Sequence, residues 1–192
     1  MSQPRPCLAA TAVERTLSLV GKGGQYVLGT GDYLGDGKPP WTTRAGLSGS
    51  DCAGFAMCWA YKLPRHRPGY NHGAWSSVSD DINCNSGIED AEHARDLFEL
   101  TDTPRLGDLL TYPTFTVSGK RFIGHVGIVV GVSRVLEWDP AIPQYELLDI
   151  AQCKGPNGRA PAVVATDGSV WAHHDTLWPK LQHRTRILRA RL

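Results

Sequence analysis

The rhythm of apolar and polar positions changes once along this chain, from helical spacing in the first half to strand-like runs in the second. Thr11-Ala12-Val13-Glu14 has the form of a capping box, and Val13, Leu17 and Val20 follow at helical spacing until Gly21. A short helix is therefore predicted over 12–20. Residues 21–50 are rich in Gly and Pro and read as loop. From Cys52, the positions Cys52, Phe55, Ala56, Trp59 and Ala60 share one helical stripe, with Ser48, Ser50 and Asp51 as N-cap candidates and Pro64 as the stop. Residues 65–87 read as loop, and a second helix is predicted over 88–100 with Ile88, Ala91, Leu97 and Phe98 inward. Strands are predicted at 108–112, 122–132, 145–153, 161–166 and 185–192, with a hairpin loop at 133–144. Helices first and a meander of strands after argue an α+β fold, its N-terminal helices packed on a central antiparallel β-sheet. Residues 1–10 read as a flexible N-terminal tail and 11–192 as a single domain.

Composition narrows the function classes. Apolar residues make up 41% and charged residues 20%, so a packed core is expected and wholesale disorder is not. A net charge of +1 offers no bulk attraction to nucleic acid. The Arg-rich stretch from His183 to Arg191 alternates as a strand with one solvated face would. No apolar run is long enough to span a membrane, and the N-terminus lacks the apolar core of a secretory signal. The expectation is synthesis in the cytoplasm without a signal peptide, and no membrane insertion. The glycines at 21–24 and 29–31 follow no strand and precede no Gly-Lys-Ser/Thr, so they do not form a phosphate loop.

The five cysteines, Cys7, Cys52, Cys58, Cys84 and Cys153, are odd in number and contain no CxxC pair. Neither a disulfide framework nor a zinc site is indicated, and at least one thiol stays free. Cys52 is the one placed to react. A thiol in the first turn of a helix meets unpaired N–H groups and the positive end of the helix dipole, which favour thiolate. His125 opens an apolar strand, where it makes poor core filler. Taken singly, each also reads as a buried core residue. Together, a Cys at a helix start and a His at a strand start can meet across a helix–sheet seam.

Four segments carry a resemblance. Ser50-Asp51-Cys52-Ala53-Gly54-Phe55 resembles the nucleophile motif of the NlpC/P60 cysteine peptidases, with Ala53 where Ser is usual. Gly107-Asp108-Leu109-Leu110-Thr111-Tyr112 resembles the strand before the family's histidine, and Gly124-His125-Val126-Gly127-Ile128-Val129-Val130-Gly131 the strand that carries it. Gly24-Gln25-Tyr26-Val27-Leu28-Gly29 is similar to the upstream tyrosine motif, with Leu28 where Trp is usual. The four stand in the family's order across residues 24–131. The resemblance implies a papain-like fold, Cys52 as nucleophile, His125 as general base and acid, and Tyr26 beside the carbonyl oxygen. Asp51 is counted with Tyr26 as substrate-binding.

The family's third polar residue orients the histidine. Its usual distance from the histidine falls on Glu137. However, Leu147 to Cys153 resembles the strand that normally bears it, and that register places Gln152 there, with Asp149 a third candidate. Cys58 is expected in the core, Cys84 as a loop thiol, and Cys153 on the strand face opposite Gln152. His66, Tyr70, His72 and Trp75 are candidates to line a substrate groove. His173-His174-Asp175 lacks partners at metal-ligand spacing and reads as surface.

The resemblance implies hydrolysis of an amide bond in bacterial peptidoglycan, most commonly D-glutamate to diamino acid in the stem peptide. N-acetylmuramoyl-L-alanine amidase and acyl transfer through the same thioester are the alternatives. The chemistry requires no cofactor and no metal. The setting is a phage lysis or tail enzyme, or a delivered antibacterial toxin with an immunity or delivery partner.

Overall fold

The computed structural model describes residues 8–22, 26–29, 31, 49–67, 70, 80–94, 96–132, 148–153, 162–165 and 184–192. The first helix, α1, spans Ala9–Leu17. It begins earlier than the capping pattern suggests, with Leu8 at the N-cap and no side-chain cap, so Thr11 sits inside the first turn. The predicted domain start at 11 therefore moves to the residues just before Ala9, and residues 1–7 lie outside those described. Ala12 and Thr16 face inward. Tertiary contacts hold α1, near its C-terminal end, against the helix that contains Trp59. Arg15 donates from Nε to the Trp59 carbonyl (2.9 Å), and Trp59 Nε1 donates back to the Arg15 carbonyl (3.1 Å). The Arg15 guanidinium stacks 3.9 Å from the Trp59 ring centroid.

Residues 52–61 form α2, widened to π-helical turns at Gly54–Trp59. Every residue of α2 is buried, as expected of a helix apolar on all sides. A third helix, α3, spans Cys84–Glu89 and continues as π-helical turns at Asp90–Ala94. Its start is set by a capping box. Asn83 Oδ1 accepts from the N–H of Asn85 (2.9 Å) and of Ser86 (3.1 Å), and Ser86 Oγ accepts from the Asn83 N–H (2.9 Å). The helix predicted over 88–100 thus starts sooner and stops sooner. The Asp90 carboxylate ends it by accepting the N–H groups of Asp96, Leu97 and Phe98 at 3.0, 2.9 and 2.7 Å.

Eight strands follow: β1 Phe98–Thr101, β2 Leu109–Tyr112, β3 Phe115–Val117, β4 Lys120–Phe122, β5 His125–Val132, β6 Leu148–Gln152, β7 Ala162–Ala165 and β8 Arg186–Ala190. Six make one antiparallel sheet in the order β1-β8-β2-β5-β6-β7, and β3-β4 is a separate hairpin. The fold is α+β, as expected, but the sheet is not a simple meander. The C-terminal β8 inserts between β1 and β2, pairing Leu100 with Leu188 and Leu109 with Leu188. That long-range pairing makes residues 98–101 a strand where local periodicity suggests helix. The run predicted as one strand over 122–132 is broken at 123–124. There the Gly124 N–H donates to Thr114 Oγ1 (3.0 Å), and the Thr114 N–H donates to Asn85 Oδ1 (2.8 Å). The hairpin loop expected at 133–144 lies outside the described residues.

Alternation along the strands divides the core. Leu109, Val126, Ile128, Ala151 and Leu188 pack toward α2 and α3, whereas Leu110, Tyr112, Val129, Leu148, Ile150 and Ile187 form the cluster on the other face. The basic C-terminal stretch is strand over β8, as expected, and Arg186, Arg189 and Arg191 are paired. Arg189 forks onto Asp108 (Nη2–Oδ2 2.8 Å, Nε–Oδ1 3.1 Å), and Arg186 and Arg191 lie against Glu92 and Glu99.

Candidate active site

The site forms where the start of α2 meets the starting end of β5. Asp51 caps α2, its Oδ1 accepting the Gly54 N–H at 2.7 Å, which makes Cys52 the first helical residue. The Cys52 N–H is then one of the groups that no helical carbonyl can reach. The same carboxylate is held by Arg65 through two parallel bonds (Nη1–Oδ1 2.7 Å, Nη2–Oδ2 2.9 Å), and its Oδ2 also accepts the Gly29 N–H at 2.9 Å. Asp51 is 2% exposed. Both of its oxygens are committed within the protein, so the substrate-binding role expected of Asp51 gives way to a positioning one. It ties the Tyr26–Gly29 segment to α2. Arg65, which completes the clamp, carries no signal in the sequence. Burial works against its charge, but Asp51 and then Asp81 more than offset that and keep it fully protonated.

Tyr26 arrives by the same route. It forms a parallel bridge with Ser50, and the Val27 N–H donates to the Ser50 carbonyl (3.1 Å). Its phenol is held well above the usual tyrosine range, first by burial and then by the negative charges of Cys52 and Asp51. It stays a hydroxyl donor within the electrostatic reach of Cys52.

Strand register brings the other two residues together. Ile128 pairs with Ala151 across β5 and β6, which sets Gly127 opposite Gln152 and His125 diagonal to it on the same face. His125 Nε2 meets Gln152 Oε1 at 2.6 Å. The amide oxygen can only accept, so Nε2 carries the proton and Nδ1 is the ring nitrogen left for Cys52. Asp149 is three residues away and lies over Gly131 at a break in register, so it does not reach His125. Glu137 lies outside the described residues. Gln152 is 1% exposed, and its Nε2 has no hydrogen-bond partner among the described residues.

Cys52 is buried, with its sulfur 4.0 Å from the Gly124 carbonyl oxygen and 3.8 Å from the sulfur of Cys84. Its thiol is shifted well below the ordinary range, first by the hydrogen bond from Cys84 and then by the charge and hydrogen bond of His125, against burial and the Asp51 charge. Cys84, expected as a loop thiol, is instead the first residue of α3. The Asn83 to Ser86 capping pattern was the signal available for that. A Cβ on Gly124 would fall 2.9 Å from the Thr114 nitrogen and the Tyr112 carbonyl oxygen and 3.1 Å from the Cys84 Cβ, so the chain passes these groups only without a side chain there.

The remaining candidates are placed as follows. Cys58 is in the core, as expected. Cys153 is on the face opposite Gln152, its sulfur donating to the Ser50 carbonyl at 3.4 Å, and burial pushes its thiol up to about 12. Tyr70 is buried in the core at 2% exposure, with the Arg67 guanidinium 5.8 Å from its ring centroid, and does not line an open groove. His66 is exposed beside Asp81, whereas His72, Trp75 and His173-His174-Asp175 lie outside the described residues. Among the described residues no three His, Cys, Asp or Glu side chains gather as a metal site, and no helix is long and apolar enough to cross a membrane.

Gln152→Ala is expected to lower turnover on the order of 10²-fold, with little change in KM, because the ring would lose its orienting acceptor. Gln152→Glu retains that acceptor and is expected to recover part of the loss. Equal losses in both variants would mean that the amide serves packing alone. Steady-state kinetics on a peptide amide substrate reads the difference.

No protein-family model matches this chain, and neither curated proteins nor solved structures give a match.

Proposed function

We propose that the chain is a cysteine hydrolase that cleaves an amide bond in bacterial cell-wall peptide, on a papain-like architecture of the NlpC/P60 kind. The observation that carries the chemistry is the row Cys52, His125, Gln152, with Nε2 to Oε1 at 2.6 Å and the Cys52 thiol depressed. The substrate class is supported by the four motifs in family order.

The Cys52 thiolate attacks the amide carbonyl carbon, and a carbon–sulfur bond forms as the oxygen takes the negative charge. The Cys52 N–H and the Tyr26 hydroxyl are the donors for that oxygen. The carbon–nitrogen bond then breaks, and His125 gives its proton to the leaving amine. Water, deprotonated by His125, attacks the thioester and returns the thiol. Gln152 keeps the imidazole in the tautomer this exchange needs.

The bond we favour joins D-glutamate to the diamino acid of the stem peptide. Digestion of purified sacculi followed by mass spectrometry tests it, the expected product being a muropeptide ending in D-glutamate. A free lactyl group on muramic acid would indicate the muramoyl–alanine amidase instead. Products carrying a transferred acyl group would indicate acyl transfer, and intact sacculi would remove the wall as substrate.

A further inference from the structure

Cys84 makes and breaks no bond in the hydrolytic steps, yet its sulfur lies 3.8 Å from that of Cys52. Both thiols are buried, at 3% and 5% exposure, and they stand on different elements, the first turn of α2 and the first turn of α3. We propose that Cys52 and Cys84 form a redox-active dithiol, oxidised by a hydroperoxide to a disulfide that masks the nucleophile and is reopened by thiols. The effect on activity rests on the proposed function, whereas the disulfide itself does not.

The geometry favours this pair over the others. A disulfide needs its sulfurs about 2.05 Å apart, so these two must close by about 1.8 Å, within the reach of side-chain rotation. Cys58 lies six residues along α2, in the core. Cys153 is engaged with the Ser50 carbonyl. Cys7 lies outside the described residues.

The chemistry balances in two steps. The Cys52 thiolate attacks the peroxide oxygen, giving a sulfenic acid and releasing hydroxide or alkoxide. The Cys84 sulfur then attacks the Cys52 sulfur. A sulfur–sulfur bond forms, the sulfenic hydroxyl leaves, and with the Cys84 proton it becomes water. Each disulfide consumes one peroxide and two thiol electrons. Cys84 is held well above the ordinary thiol range by its hydrogen bond to Cys52, by burial and by the Cys52 charge. Conversion of Cys52 to neutral sulfenic acid removes that charge and frees Cys84 to attack.

The test is peptide mapping of the whole protein after brief exposure to hydrogen peroxide. Lys62 and Arg65 separate the two cysteines on trypsin digestion, and fragment spectra distinguish Cys52 from Cys58. The expected result is a Cys52–Cys84 cross-link that dithiothreitol removes, with hydrolysis falling and recovering in parallel. In Cys84→Ser, Cys52 is expected to pass on to sulfinic and sulfonic acid, which dithiothreitol does not reverse. Several outcomes would overturn the proposal: Cys52 pairing with another cysteine, irreversible oxidation of Cys52 in the wild type beside an intact Cys84, or no oxidation of either thiol. A reversible cross-link in a protein that leaves sacculi intact would instead refute the proposed function and keep the dithiol.

Discussion

Cys52→Ala is expected to lower hydrolysis of the wall peptide by about 10⁴-fold or more, and His125→Ala by a similar factor. The nucleophile and its base act as a unit, so the double variant should lose little beyond either single one. Neither effect should come from unfolding. Cys52 is a small buried residue, and its replacement by Ala removes one atom from the site. Turnover and thermal melting measured together separate the two causes. A Cys52→Ala protein that keeps a tenth of wild-type turnover would end the thiol mechanism. The acid side of the pH profile carries a further mark. With the Cys52 thiol depressed by Cys84 and His125, kcat/KM should reach its plateau well below the ordinary thiol range rather than above it.

Asp51→Ala should be the most destabilising single change at the site, by about 3–5 kcal/mol. It leaves Arg65 buried without its bidentate partner, removes the cap of α2, and frees the Gly29 N–H. Against a total stability of about 5–15 kcal/mol, that loss brings the fold close to its limit. Denaturant unfolding with an unchanged m-value measures it. A change under about 1 kcal/mol would show that the clamp is dispensable. Arg65→Met separates structure from electrostatics. Asp51 then keeps the N–H groups of Gly54 and Gly29 but loses its counter-charge. Its negative charge disfavours the Cys52 thiolate, so the acid limb of activity should move to higher pH in this variant.

Cys52 and His125 were legible as candidates because their signals are local. The cap before Cys52, the apolar stripe after it, and a histidine opening an apolar strand each occupy a few consecutive residues. Gln152 was legible in part, through the likeness of its strand, but its choice over Asp149 depends on the pairing of Ile128 with Ala151. Arg65 and Cys84 could not be read as site residues. Arg65 reaches Asp51 across fourteen positions and Cys84 reaches Cys52 across thirty-two, with no periodic pattern linking either pair.

By itself the sequence determined the fold class, most strands of the main sheet and the two residues proposed to react, because patterning and capping act over one or two turns of chain. Tertiary structure decided the rest. It anchored α1 through the Arg15–Trp59 exchange, and it turned residues 98–101 into a strand by supplying β8 as a neighbour. It converted Asp51 from a substrate contact into a clamp and set a second thiol against the first. Each of these depends on groups distant in the chain that become neighbours only once the sheet has closed over α2, which is why no local pattern announces them.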